Sequence, residues 1–151
     1  MEAAGIREQE KPSLVLTRSY PVSPEKVWRA WTNPQALKQW FGPGETSSVD
    51  LAEIDLRAGG RYHIRFRTPD GEVHDVSGVY REVVADRRLV FTWAWKSTPE
   101  RVSLVSIDLR AQGAGTELVF RHEQFFDQAA RDRHEQGWSA TFVKLERFLS
   151  A

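Results

Sequence analysis

The chain has 151 residues, a length that suits one domain and lets it bury roughly 70% of the surface its unfolded form exposes. Its 21 lysines and arginines balance 21 aspartates and glutamates, so no global field draws in nucleic acid or anionic lipid, and no apolar stretch approaches the roughly 20 residues of a membrane span. It has no cysteine, hence no disulfide or thiolate, and carries six Trp, eight Phe and three Tyr, more large rings than a domain of this size needs merely to fill its middle.

Residues 1–12 are polar and read as a flexible N-terminal tail, and residues 13–150 as a single domain. The N-terminus mixes charges and lacks an apolar leader core, which points to a cytoplasmic protein. Leu14-Val-Leu-Thr-Arg-Ser-Tyr20 is rich in strand formers and ends at Pro21. Ser23-Pro24-Glu25 combines a capping hydroxyl, a proline at the first helical position and an acid in the first turn, starting a helix through Trp31. Asn33-Pro34 repeats that signal for a second short helix, on which Leu37, Trp40 and Phe41 follow three-to-four spacing until Gly42-Pro43-Gly44 stops it.

From Ser47 to Glu123 turn chemistry separates six further strands, which makes the chain an α+β protein with about seven antiparallel strands. Arg61-Tyr-His-Ile-Arg-Phe-Arg67 alternates, putting Tyr62, Ile64 and Phe66 on the core face and the charged residues on the wet one. Pro69-Asp70-Gly71 suits a three-residue hairpin loop closed by Thr68 and Glu72, which sets Arg65 opposite Asp75, Ile64 opposite Val76 and Tyr62 opposite Gly78. If Val84 and Leu89 close the next hairpin, Tyr80 lies beside Trp93 and Gly78 beside Trp95. Leu109 opposite Leu118 places Ile107 beside Phe120 and Val105 beside His122. Asp127 caps a final helix to about Leu149, with Ala130, His134, Trp138, Phe142, Leu145 and Leu149 in one stripe. About 22 residues of helix span roughly 33 Å, enough to cross the domain inside the curve of the sheet.

Several segments carry a family resemblance in their order and spacing: Ser23-Pro24-Glu25-Lys26-Val27-Trp28, Trp40-Phe41-Gly42-Pro43, Asp55-Leu56-Arg57-Ala58-Gly59-Gly60, Arg88-Leu89-Val90-Phe91-Thr92 and Gly137-Trp138. Over about residues 13–150 the chain resembles the bacterial Activator of Hsp90 ATPase homologue 1-like branch of the START-like (SRPBCC) superfamily. The resemblance implies the helix-grip (START/Bet v 1-like) fold, in which a curved antiparallel sheet wraps a long C-terminal helix with two short helices after strand one. It also implies three functions the fold hosts: ligand carriage, contact with an Hsp90-type chaperone, and cyclase or hydratase chemistry.

The candidate site is a cavity on the concave face. Trp40 and Phe41 are expected at its helical mouth, Tyr62, Ile64, Phe66, Tyr80, Trp93, Trp95 and Phe120 on the sheet, and Trp138 and Phe142 on the helix. The competing reading is a solid core of large rings. His122, the polar member of the inner row, or Tyr80 is the candidate to orient a ligand's polar group, the alternative for His122 being a core histidine bonded to a backbone group, whereas His134 near the helix start reads as a bonded rim histidine. His63 and His74 fall on opposite faces, so neither a metal nor another cofactor is expected, and no nucleophile and base come together. Glu53, Asp55 and Glu82 read as rim charges, with a bulge expected near the first two. The expected partner is a small apolar or amphipathic molecule, with neither nucleic acid nor membrane; self-association as a homodimer and an Hsp90-type chaperone are the secondary partner expectations.

Overall fold

The computed structural model describes residues 11–150, so most of the expected tail lies outside the described residues. Strand β1 (Leu14–Tyr20) leads into helix α1 (Pro24–Thr32), where Ser23 Oγ accepts the Lys26 amide at 3.3 Å and Pro24 fills the first helical position. Asn33 then accepts the Ala36 amide at 3.0 Å and opens α2 (Pro34–Leu37). This helix is shorter than the spacing predicts. The Gln39 and Trp40 amides bond three residues back, to Ala36 and Leu37, which tightens the chain out of α geometry before Trp40 and Phe41.

Six strands follow: β2 (Ser48–Ile54), β3 (Arg61–Arg67), β4 (Val73–Val84), β5 (Arg88–Trp95), β6 (Ser103–Gln112) and β7 (Gly115–Glu123). They form one antiparallel sheet in the order β1-β7-β6-β5-β4-β3-β2. The β3–β4 hairpin has the expected register, with Gly71 at φ 87° and the Thr68 amide bonded to Glu72 O at 3.0 Å. Gly78, opposite Tyr62, is required sterically: a Cβ there would stand 2.0 Å from Thr92 O.

The β4–β5 hairpin departs from the expected register. Val84 pairs with Arg88 across a three-residue loop in which Asp86 adopts φ 65°, a left-handed conformation that aspartate tolerates better than most residues. A bulge between Tyr80 and Glu82 then puts Tyr80 opposite Phe91, not Trp93, and Val76 opposite Trp95. The shift is two residues in total, so each side chain keeps its face but meets a different neighbour. The bulge in β2 lies between Val49 and Leu51, earlier in the strand than Glu53 and Asp55.

Helix α3 (Gln128–Ser150) starts where Asp127 Oδ1 accepts the Ala130 amide at 2.8 Å. It buries Ala130, Trp138, Thr141, Phe142, Leu145 and Leu149 against the concave face of the sheet. Trp31 of α1 closes this interior, its ring 6.0 Å from Phe120 of β7 and 6.0 Å from Phe142 of α3. No helix among the described residues is long and apolar enough to cross a membrane.

Candidate functional site

The interior is packed unevenly. Around Tyr62, Ile64 and Tyr80 the rings of β3, β4 and β5 meet those of α1 and leave a void of about 20 Å³, room for one water at most. Tyr62 spends its hydroxyl on Thr92 O at 2.6 Å. Between the first half of α3 and the sheet lies an apolar cavity of about 280 Å³. A larger hollow of about 730 Å³ lies beside it over Arg65, Asp75, Lys96 and Ser97. Charged side chains line that one, which suits it less to an apolar ligand.

Strand β5 contributes Trp93 and Trp95 to the cavity wall, β3 contributes Phe66, and the segment after α2 contributes Phe41, Gly42 and Pro43. The opposite wall is α3, with Arg133, His134, Gly137, Trp138 and Thr141, while Thr68 and His74 close the hairpin side. Phe41, Phe66, Trp93 and Trp138 are each at most 4% exposed, so the walls are fixed by packing. Lys144 holds the loop after α2 against the helix, donating from Nζ to Gly42 O at 2.9 Å and Gly44 O at 3.0 Å. Glu45 and Arg147 add a second strap at 2.6 Å.

Of the rings the sequence groups together, Phe41, Phe66, Trp93, Trp95 and Trp138 line this cavity. Tyr62, Ile64 and Tyr80 surround the small void. Trp40, Phe120 and Phe142 are packed away from the cavity; Trp40 is fully buried and donates its N–H to Ala30 O at 3.0 Å. Phe41 and Trp93 line both spaces and so stand between the packed and the open end.

His122 has no exposed surface and does not line the cavity. An indole N–H can only donate, so the bond of 3.0 Å from Trp138 Nε1 makes His122 Nδ1 the acceptor and puts the ring proton on Nε2. Nε2–H then points at Ser103 Oγ, 2.7 Å away, and the Ser103 hydroxyl donates to Trp93 O at 3.2 Å. This serine and histidine resemble a nucleophile and its base, but the nitrogen facing the hydroxyl already carries the proton and cannot accept another. His134 has the opposite tautomer: Trp95 Nε1 donates to its Nε2 at 3.0 Å, so Nδ1–H donates to Ala130 O at 2.7 Å. The two rings lie 5.1 Å apart, and burial pushes both pKa values down, most strongly for His122.

Gly42, Pro43, Thr68, His74, Arg133, Gly137 and Thr141 also line the cavity, although the sequence pattern does not single them out as cavity residues. Gly137 carried a signal, since a glycine in mid-helix costs about 1 kcal/mol relative to alanine. A Cβ there would meet nothing within 4 Å, so packing does not require the glycine. Among the described residues, Asp70, Glu72 and His74 bring possible ligand atoms within 4.8 Å of one another. Asp70 Oδ1 already accepts from Thr68 Oγ1 at 2.6 Å and from the Glu72 amide at 3.0 Å, and His74 Nε2 bonds Thr68 Oγ1 at 2.9 Å, so two of the three groups are bonded within the hairpin. His63 lies on the other face, bonded to Asp75 at 2.8 Å.

A family model described as Activator of Hsp90 ATPase homolog 1-like protein matches residues 21–150. The chain belongs to that family. It is 28% identical over 135 residues to the human activator of 90 kDa heat shock protein ATPase homolog 1, a match covering 87% of this chain and 35% of the human one. The chain thus spans about a third of that relative's length. A crystal structure of a Chromobacterium violaceum protein superposes with a TM-score of 0.83 at 26% identity, covering 92% of this chain and 97% of that one. That of the AHSA1 protein from Silicibacter pomeroyi gives 0.82 at 28% identity, covering 92% and 98%. A protein from Nitrosomonas europaea gives 0.77 at 30% identity, covering 91% and 94%. These neighbours share the helix-grip architecture: seven antiparallel strands, a long C-terminal helix and short helices after strand one.

Proposed function

We propose that this member of the family binds a small, largely apolar molecule in the cavity between Trp93 and Trp95 of β5 and Trp138 of α3. The supporting observation is the space beside Gly137, left open at the cost of helix stability inside an otherwise close-packed interior. At about 280 Å³ the cavity sits at the low end of the roughly 300–1,000 Å³ common for ligand sites, which suits a compact ligand better than a long lipid. Organic extraction of the purified protein, followed by titration of compact aromatic probes into the stripped protein, tests this. A saturable heat of binding supports the reading, and the absence of any bound species or saturable probe response refutes it.

Family membership supports a second reading, contact with an Hsp90-type ATPase. The human relative whose name carries that activity is almost three times as long as the stretch matched here, so the activity is tested directly. Stimulation of a purified bacterial Hsp90-type ATPase by the chain supports it; neither binding nor stimulation retires it.

A further inference from the structure

We propose that the cavity selects an anionic ligand, a compact apolar molecule bearing a carboxylate that pairs with Arg133 at the rim. The inference rests on the cavity being a ligand site and adds the chemistry of what it takes.

Its basis is what remains unspent among the polar groups of the wall. The indole N–H groups of Trp95 and Trp138 are committed to His134 and His122. Thr141 gives its hydroxyl hydrogen to Gly137 O at 2.8 Å. His134 spends both nitrogens within the fold. Among the described residues, the Trp93 indole N–H is buried with no hydrogen-bond partner and His74 bonds through Nε2 alone, but both are neutral; Arg133 is the one charged group left over. It stands one turn before Gly137 on the exposed side of α3 and lines the cavity, yet makes no ion pair among the described residues. The acids flanking it are already taken: Asp132 and Glu135 both pair with Arg131, at 3.0 Å and 2.7 Å. No carboxylate lines the cavity among the described residues. Burial is the main cause of the lowered His134 pKa, and the Arg133 charge adds to it in the same direction.

A planar cation at the mouth of a ring-lined pocket matches a ligand with an apolar body and a carboxylate head, because the fork of Arg donates to two carboxylate oxygens at once while the rings take up the rest. Apolar burial supplies affinity and Arg133 supplies orientation and charge preference.

Calorimetric titration of 2-naphthoate and of its neutral counterpart 2-naphthalenemethanol tests the inference. The native protein is expected to prefer naphthoate by about five- to tenfold, in keeping with a partly exposed ion pair. R133A should lose that preference, and R133K should retain part of it. Equal binding of the two probes by the native protein, or a preference that survives in R133A, overturns the anion selectivity and leaves the cavity reading standing. Failure of both probes to bind overturns the cavity reading and this inference with it.

Discussion

Trp138 reaches from α3 across the interior to β7 and donates its indole N–H to His122 Nδ1 at 3.0 Å, and this bond fixes the tautomer of a histidine with no exposed surface. The chain of donors continues through Ser103 to the Trp93 carbonyl, so helix and sheet are joined by polar bonds directly behind the cavity wall. Replacing Ser103 with alanine leaves the His122 Nε2–H buried without an acceptor, and the expected loss is about 1–3 kcal/mol of unfolding free energy. Urea unfolding measures it, and an unchanged midpoint would contradict the network.

Acid should destabilise the fold through the same pair of histidines. Burial holds His122 and His134 below their ordinary value of 6.5, so below that pH the unfolded chain takes up protons that the folded chain refuses. Stability is therefore at its full value above about pH 6.5 and falls as the pH drops toward the depressed folded-state values, by at most about 1.4 kcal/mol per pH unit for each histidine. His122 should dominate, because half-buried His134 is better screened. Unfolding midpoints across the mildly acidic range check this; a flat or rising profile would be the wrong sign.

Gly137→Ala places a methyl group in open space within a helix, so it should stabilise the protein by about 0.5–1 kcal/mol. Gly137→Leu fills the cavity instead, and should abolish probe binding while the protein stays folded. Thermal unfolding and calorimetry separate the effects, and probe binding that survives in the leucine variant would place the ligand elsewhere.

Lys144→Met removes the ammonium that holds Gly42 O and Gly44 O. The substitution should cost about 1 kcal/mol, because a charged but half-exposed donor is lost, and should weaken probe affinity because Gly42 and Pro43 form one wall of the cavity. An unchanged affinity alongside lowered stability would show that the loop does not shape the site.

The fold was legible where local chemistry is decisive. Proline and capping residues mark both short helices, Gly71 marks the hairpin, and strict alternation in β3 assigns its faces. The β4–β5 register was not, because its turn rests on a left-handed aspartate and not on a glycine, and because a bulge near Arg81 leaves no compositional mark. Inward-facing rings could be identified from sequence but not divided between packed and open ends, because the division depends on how α3 and the segment after α2 pack on the sheet. The register leaves His122 open between a ligand-orienting group and a bonded core histidine, and only the positions of Trp138 and Ser103 show that both its nitrogens are taken.

The central claim is that the space bounded by Trp93, Trp95 and Trp138 binds a ligand, and the six indole N–H resonances of the protein in nitrogen-15 NMR test it most directly. On titration with 2-naphthoate, the signals of Trp93, Trp95 and Trp138 should shift saturably while those of Trp28 and Trp40 stay in place. No saturable shift, or shifts confined to Trp28 and Trp40, would contradict the account.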